Sequence, residues 1–138
     1  MTGEAVTLSG GSGVGSLVRG SALVSQHGFG VRYDLDAMTG IISNAEHDLF
    51  GHTLTGQVLV FTKPKGGVAA SWALADLKQR GLAPLAIICQ STSPIFVQGA
   101  LFAGIPILHH LNDDPCTAIR TGDDIEVIAD QGEVRIYR

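Results

Sequence analysis

Short apolar runs alternate with segments of helical spacing through the middle of the chain. Three runs are apolar on both faces, as is typical of strands buried inside a parallel sheet: Gln57–Thr62 (QVLVFT), Leu85–Cys89 (LAIIC) and Ile105–Leu108. Between them, residues 70–80 and 94–103 have apolar positions at helical spacing, and a glycine that favours a helix end follows each segment. This order predicts a β–α–β–α–β core with parallel crossovers.

Both flanks of this core have the pattern of strands without helices. On the N-terminal side, Ser21–Ser25 and the pair Ile41-Ile42 are short apolar runs, while the glycine-rich residues 9–15 (SGGSGVG) are typical of a mobile or turn-forming lead-in. On the C-terminal side, Asp124–Asp130 and Glu133–Tyr137 alternate apolar and polar positions around a turn, which predicts a hairpin. We therefore expect an α/β fold in a single domain over residues 1–138, with a mixed sheet, two covering helices and a second β layer.

The composition limits the classes of function. With 45% hydrophobic and 16% charged residues, the chain has the character of a soluble globular domain with little surface charge, which favours a protein partner. A net charge of −4 and scattered basic residues argue against a nucleic-acid partner. No apolar run approaches the roughly 20 residues of a membrane span, and the first residues, MTGEAVTLSGG, do not resemble a signal peptide. We therefore expect a cytoplasmic protein that contacts no membrane.

The histidines and cysteines do not form a recognisable catalytic or metal-binding set. Cys89 and Cys116 are too far apart for a metal knuckle, and Cys89 lies in a strand where a thiol is usually an inert core residue. No carboxylate accompanies His47 and His52 at a metal-binding spacing, so both are interpreted as solvated loop residues.

Two adjacent histidines follow the third buried strand, at the carboxyl end where α/β sheets place their ligands. Neighbouring side chains of an extended chain point in opposite directions, so at most one of His109 and His110 is expected to face a site. Asp113-Asp114 are expected to cap the short turn that begins at Pro115.

The junction between the first buried strand and the first helix is the strongest candidate for a binding site. Lys65, Gly66 and Gly67 precede the helix, and Ser71 lies near its start. Glycines let a ligand approach the backbone, and a helix start presents free N–H groups with partial positive charge, so a carboxylate or phosphate is a suitable ligand. The segment matches neither the P-loop nor the dinucleotide-binding pattern. A tight turn with Ser71 as helix cap explains the same residues equally well.

Taken in order, the motifs of the chain resemble the small subunit, or swivelling domain, of aconitase X. The resemblance extends over about 120 residues. The segments that carry it are Gly28-Phe29-Gly30-Val31 with Asp34, Thr39-Gly40, His47 with Gly51, Gly56–Phe61, Lys65–Leu77, Ala83-Pro84, Ala86–Ile88, Pro94-Ile95, Gly99-Ala100, Ala103–Pro106 and Thr121–Asp123.

The resemblance implies a swivelling β/β/α fold and a dehydratase whose active site lies between two subunits. It implies that the large subunit carries an iron–sulfur cluster and that this chain binds no cofactor or metal itself. Because the residues form no complete acid–base or metal set, we expect the isolated chain to be inactive. In such enzymes the loop before the helix is expected to contribute a catalytic serine. Relatives often have Ser directly after the Lys-Gly pair, whereas this chain has Gly67. The resemblance therefore makes Ser71 the candidate catalytic residue, with Lys65, Gly66 and Gly67 as candidate substrate-binding residues.

The resemblance leaves more than one reaction open. The form of the Lys65 motif, without a serine-rich stretch, favours dehydration of cis-3-hydroxy-L-proline to Δ1-pyrroline-2-carboxylate, and the alternative is the phosphomevalonate dehydratase branch. Two interpretations from other classes are a stand-alone module that binds a small carboxylate and a structural subunit that closes over a partner enzyme without contributing chemistry.

Overall fold

The structure is a computed structural model that describes residues 5–138, apart from the side chain of Ala70. Its strands are β1 (Ala5–Leu8), β2 (Ser12–Val14), β3 (Val18–Val24), β4 (Leu35–Asp36), β5 (Ile41–Ile42), β6 (Val58–Phe61), β7 (Ala86–Cys89), β8 (Ile107–His109), β9 (Asp124–Ile128) and β10 (Glu133–Tyr137). Its helices are α1 (Val31–Asp34), α2 (Val68–Gln79), α3 (Pro94–Ala103) and α4 (Pro115–Ala118), with a 3-10 turn at Ala129–Gln131. No helix in this range is long and apolar enough to cross a membrane.

Eight strands form one mixed sheet in the order β1-β10-β9-β3-β6-β7-β8-β2, and β4 pairs with β5 in a small second sheet. The long strand β3 joins two halves of the large sheet. Its first residues pair antiparallel with β9, with Val18 opposite Val127, and its last residues pair parallel with β6, with Val24 opposite Val60. The strands β3, β6, β7 and β8 are therefore parallel neighbours whose carboxyl ends lie at one edge.

The alternation of side chains along the parallel strands produces two hydrophobic cores. On β6, Leu59 and Phe61 face a core shared with α2 and α3, whereas Val58 and Val60 face a core shared with β1, β9 and β10. The parallel strands therefore lie between a helical layer and a second β layer, which confirms the predicted β/β/α arrangement.

The main departures from the predicted elements lie at the N-terminal flank. Residues 12–14 form β2 inside the segment predicted to be a mobile or turn-forming lead-in, a strand that the prediction did not include. β2 pairs with β8, and the neighbouring Gly11 N–H donates to the carbonyl of Gly132 over 3.0 Å. A three-residue strand of small residues has little local signal, because its pairing partners are distant in the sequence. The strand β1 and the short helix α1 were not predicted either.

Candidate functional site

The glycine loop, residues 62–67, connects β6 to α2 at the carboxyl edge of the parallel strands. Gly66 has a φ of 91°, a left-handed conformation that favours glycine, and Gly67 is the N-cap residue of α2. Both glycines are exposed, and no side chain among residues 5–138 caps the start of α2. The first N–H groups of an α-helix have no partner within the helix, so the start of α2 is open to an anionic ligand.

Lys65 holds the glycine loop to the loop that follows β3. Its ammonium group lies 3.1 Å from the carboxylate of Asp34, and its backbone N–H donates to the carbonyl of Phe29 over 2.9 Å. The Asp34 side chain is fully buried and also accepts hydrogen bonds from Gly30 N–H and the Asn44 amide. Burial alone would raise the pKa of Asp34, but the hydrogen bonds from Asn44, Gly30 and Lys65 lower the pKa below its ordinary value.

Arg32 faces the glycine loop from α1. Arg32 and Tyr33 line a shallow cleft together with Gly66, Gly67 and Ala69. Among residues 5–138 no carboxylate forms an ion pair with the Arg32 guanidinium. The cleft therefore combines an exposed cation with the open start of α2. Arg32 was not among the predicted site residues, although it lies between two positions that carry the family resemblance, Val31 and Asp34.

Ser71 lies in the first turn of α2 and packs against α3. Its hydroxyl donates to the carbonyl of Val68 over 2.8 Å, and the residue is 7% exposed. The N-cap of α2 is Gly67, so Ser71 does not cap the helix. Ser71 also lies directly against Gly99 of α3: a Cβ added to Gly99 would lie 2.5 Å from the Ser71 Cβ. The role of Ser71 as a catalytic residue stays a prediction.

His47 is buried, which corrects its interpretation as a solvated loop residue. Its Nε2 lies 2.9 Å from the Gly28 carbonyl, and its Nδ1 accepts the Leu49 N–H over 3.1 Å. Both ring nitrogens are thus used to hold the loop after β3, a role that depends on distant residues and has no local sequence signal. His52 is exposed, as predicted.

The structure brings His47 together with His27 and Asp48, whose potential ligand atoms lie within 4.8 Å of one another. The Nδ1 atoms of both histidines accept backbone N–H groups, from Leu49 and Asp48 respectively. The Asp48 carboxylate accepts the Ser25 hydroxyl over 2.6 Å and the Gln26 N–H over 2.7 Å. Burial would raise the Asp48 pKa, but these hydrogen bonds and the nearby histidines lower it. Hydrogen bonds with the neighbouring backbone and with Ser25 therefore hold this cluster and order the loop after β3.

His109 and His110 do not point in opposite directions, as an extended chain would require. His110 has a φ of 58°, a left-handed conformation, and this turn brings the Nδ1 atoms of the two rings into contact. Burial, followed by the neighbouring His110, lowers the pKa of His109. The expectation of opposite orientations is therefore wrong because it assumed an extended backbone. At the next turn, Asp114 caps α4 by accepting the Cys116 N–H over 2.9 Å, as predicted.

Cys89 and Cys116 are both buried, and burial raises the pKa of each thiol to about 12. An iron–sulfur cluster is usually held by four cysteine thiolates, and among residues 5–138 neither thiol belongs to a group of three or more potential metal ligands.

Comparison with known proteins identifies relatives over nearly the whole chain. The family described as aconitase X swivel domain matches residues 7–136. A protein of Thermococcus sibiricus, named phosphomevalonate dehydratase small subunit, is 38% identical over 122 residues, which cover 88% of this chain and 92% of the relative. The protein of the same name from Methanosarcina acetivorans is 33% identical over 86% of this chain and 83% of the relative.

A solved structure has the same fold. The crystal structure of Thermococcus kodakaraensis aconitase X in its holo-form superposes with a TM-score of 0.89 and 32% sequence identity, covering 96% of this chain and 99% of the matched chain. The architecture described above is therefore that of an aconitase X chain.

Proposed function

The chain belongs to the aconitase X swivel domain family, and we propose that it is the small subunit of a two-subunit dehydratase of the aconitase X type. The names of the relatives support a hydro-lyase that works as a complex. A large subunit is then the main partner, and the active site is shared between the two chains. This proposal explains why the described residues offer a ligand-binding edge without a complete set of catalytic groups.

The observation that carries the proposal is the open start of α2 beside Arg32. Two features of this cleft favour anions: the unpaired N–H groups of the first helical turn and an exposed guanidinium. The Lys65–Asp34 ion pair fixes the position of the loop, because it ties the glycine loop to α1. A substrate that carries one or two anionic groups therefore fits this edge.

We propose mevalonate 5-phosphate as the substrate. It has a carboxylate, a hydroxyl on the β-carbon and a phosphate, and planar guanidinium groups recognise both anions well. The relatives at 38% and 33% identity carry the name phosphomevalonate dehydratase small subunit, which supports this choice over the one that the Lys65 motif favoured. The cleft lining also supports it, since Arg32 is the only charged residue among the described residues that line the cleft.

Dehydration of cis-3-hydroxy-L-proline is the second candidate. The observation in its favour is the glycine pair of the loop, where Gly67 stands directly after Gly66 without a serine. Hydroxyproline is a zwitterion, so its ammonium group needs an acceptor. The Asp34 carboxylate is buried and engaged with Lys65, Gly30 and Asn44, so the acceptor would have to come from the large subunit.

In either reaction a proton leaves the carbon next to the carboxylate and the β-hydroxyl departs. This chain would hold an anionic group of the substrate at the start of α2 and orient it with Arg32. Ser71 is the candidate hydroxyl for proton handling, since an O–H that donates to the Val68 carbonyl retains its acceptor lone pairs. The iron–sulfur cluster that we expect in the large subunit would supply Lewis-acid assistance at the departing hydroxyl.

The test is a substrate comparison with the reconstituted two-subunit enzyme. We expect formation of a carbon–carbon double bond from mevalonate 5-phosphate, measured by NMR, and no turnover of cis-3-hydroxy-L-proline. In Arg32→Gln, the loss of a charge-assisted contact should raise KM for mevalonate 5-phosphate about tenfold or more. Arg80→Gln, at the opposite end of α2, is the matched control and should leave KM unchanged.

The outcomes separate the candidates. Turnover of hydroxyproline alone would establish the second substrate, and turnover of neither compound would contradict the assignment as a dehydratase of these two types. An unchanged KM in Arg32→Gln would remove Arg32 from the substrate site.

A further inference from the structure

An exposed apolar groove lies on the outer surface of the helical layer. Its walls are Val68 and Trp72 from α2 and Ile95 and Phe102 from α3, with exposed fractions of 57%, 60%, 42% and 64%. Ser71 and Gly99 form the floor, and Gln98 is the remaining lining residue. Among the described residues that line this α2–α3 groove, none carries a charge.

The two aromatic residues of the groove pack against each other. The rings of Trp72 and Phe102 stack with an interplanar angle of 4° and a centroid separation of 6.1 Å. Ordered aromatic side chains lose little conformational entropy on binding, and such residues are enriched at the energetic centres of protein interfaces. A contiguous exposed apolar surface of this kind is typical of an interaction site.

The α2–α3 groove is continuous with the candidate site. Val68, which lines the groove, directly follows Gly67, which lines the cleft with Arg32. Both features therefore lie around the first turn of α2. A subunit that completes the active site at the glycine loop must approach this turn, so the groove lies where its surface would pass.

We propose that the α2–α3 groove is the docking surface for the large subunit of the dehydratase, which packs an apolar side chain against Trp72 and Phe102. This inference rests on the proposed function. It explains why the chain exposes a stacked aromatic pair beside a site that lacks a full set of catalytic groups. It also places the subunit boundary at the first turn of α2.

The experiment measures assembly of the two full-length subunits and uses no activity assay. Trp72 is the only tryptophan of the chain, so labelling this chain alone with 5-fluorotryptophan gives one ¹⁹F resonance. On addition of the unlabelled large subunit, we expect this resonance to shift and to lose its solvent isotope effect as the indole becomes buried. Calorimetric titration should show that Trp72→Ala and Phe102→Ala each raise the Kd for the large subunit by about tenfold or more, as for aromatic anchors of other interfaces.

Leu17→Ala is the matched control. Leu17 is 57% exposed and directly precedes β3, at the opposite end of the parallel strands from the glycine loop. The Leu17→Ala variant should therefore bind the large subunit with the same Kd as the unchanged chain. Circular dichroism melting curves establish that each variant is folded.

The outcomes separate this inference from the proposed function. If the unchanged chain does not bind the large subunit, the proposed function itself fails. If the complex forms but Trp72→Ala and Phe102→Ala bind with unchanged Kd, and the fluorine resonance does not move, the docking surface is elsewhere. If the isolated chain forms dimers in sedimentation experiments that Trp72→Ala abolishes, a second copy occupies the groove and the inference is overturned.

Discussion

Ser71 combines a packing role with a candidate catalytic role. Its small side chain allows α2 to approach Gly99 of α3, and alanine satisfies that requirement equally well. Ser71→Ala therefore tests the hydroxyl without altering the helix contact. If the hydroxyl takes part in proton transfer, kcat of the two-subunit enzyme should fall by about a hundredfold or more, the usual scale for a positioned acid–base group.

The free energy of unfolding of the same variant provides the control. Loss of the hydrogen bond to the Val68 carbonyl should cost only about 1 kcal/mol, measured by urea unfolding. A Ser71→Ala enzyme with unchanged kcat and normal assembly would assign Ser71 to packing alone.

The Lys65–Asp34 ion pair predicts a pH-dependent stability. The pKa of Asp34 is lowered in the folded chain. The ion pair therefore contributes its full stability at pH values above the ordinary carboxyl pKa, and this contribution is lost as the pH falls through the lowered pKa of the folded chain. Lys65→Met should reduce the free energy of unfolding at pH 7 by about 1–2 kcal/mol, because a buried carboxylate loses its cation while its other hydrogen bonds remain. The deficit should shrink in acid, as Asp34 becomes protonated.

Urea unfolding at a series of pH values measures this effect. Lys63→Met, in the same loop but without an ion pair to a described residue, is the matched control and should match the unchanged chain at every pH. A deficit for Lys65→Met that stays constant from pH 7 into acid would contradict the assignment to Asp34.

At the scale of elements, the close crossing of α2 and α3 depends on Gly99. An added Cβ would lie 2.5 Å from the Ser71 Cβ and 2.8 Å from the Ser71 carbonyl oxygen, so the helices must separate. Overpacking of this kind costs about 1–3 kcal/mol, and we expect Gly99→Ala to lose that much free energy of unfolding. Gln98→Ala, an exposed position of the same helix, should change stability by less than about 0.5 kcal/mol. Equal stability of the two variants would show that the crossing tolerates a methyl group.

The elements that the sequence predicts are those with a strong local signal. The strand β6 is apolar on both faces because it lies between two cores. The helix α3 has Ser93 as N-cap, Pro94 as its first residue and Gly104 as C-cap, in agreement with helix-end preferences. By contrast, β2 is defined by its partner β8, and the burial of His47 depends on the carbonyl of Gly28. Local patterns cannot reveal contacts of this kind.

For the same reason, the sequence predicts only part of the candidate site. The glycine loop has a recognisable composition, whereas Arg32 reaches it only because α1 packs beside α2 in the folded chain. The predicted cation of the loop, Lys65, is engaged with Asp34, a pairing that sequence spacing does not indicate.

At the scale of the whole molecule, the candidate binding groups lie together at one edge of the sheet. The open start of α2, Arg32 on α1 and the α2–α3 groove lie together near the glycine loop, while His47 and Asp48 are occupied by hydrogen bonds within the chain. Both thiols are buried with a pKa of about 12. Within residues 5–138 the candidate site therefore has groups suited to binding an anion but lacks a complete acid–base pair. In a shared active site, the partner chain supplies the catalytic groups that this chain lacks.

We accordingly predict that the isolated chain folds but does not dehydrate either candidate substrate. A cooperative urea transition would demonstrate folding, and NMR of mevalonate 5-phosphate or cis-3-hydroxy-L-proline incubated with the iron-free chain should show no product. The large subunit alone should also be inactive, because the proposed anion-binding edge at Gly66, Gly67 and Arg32 is then missing. Mixing the two should restore turnover. Product formation by the chain alone would mean that it holds a complete site, and full activity of the large subunit alone would reduce this chain to a structural subunit.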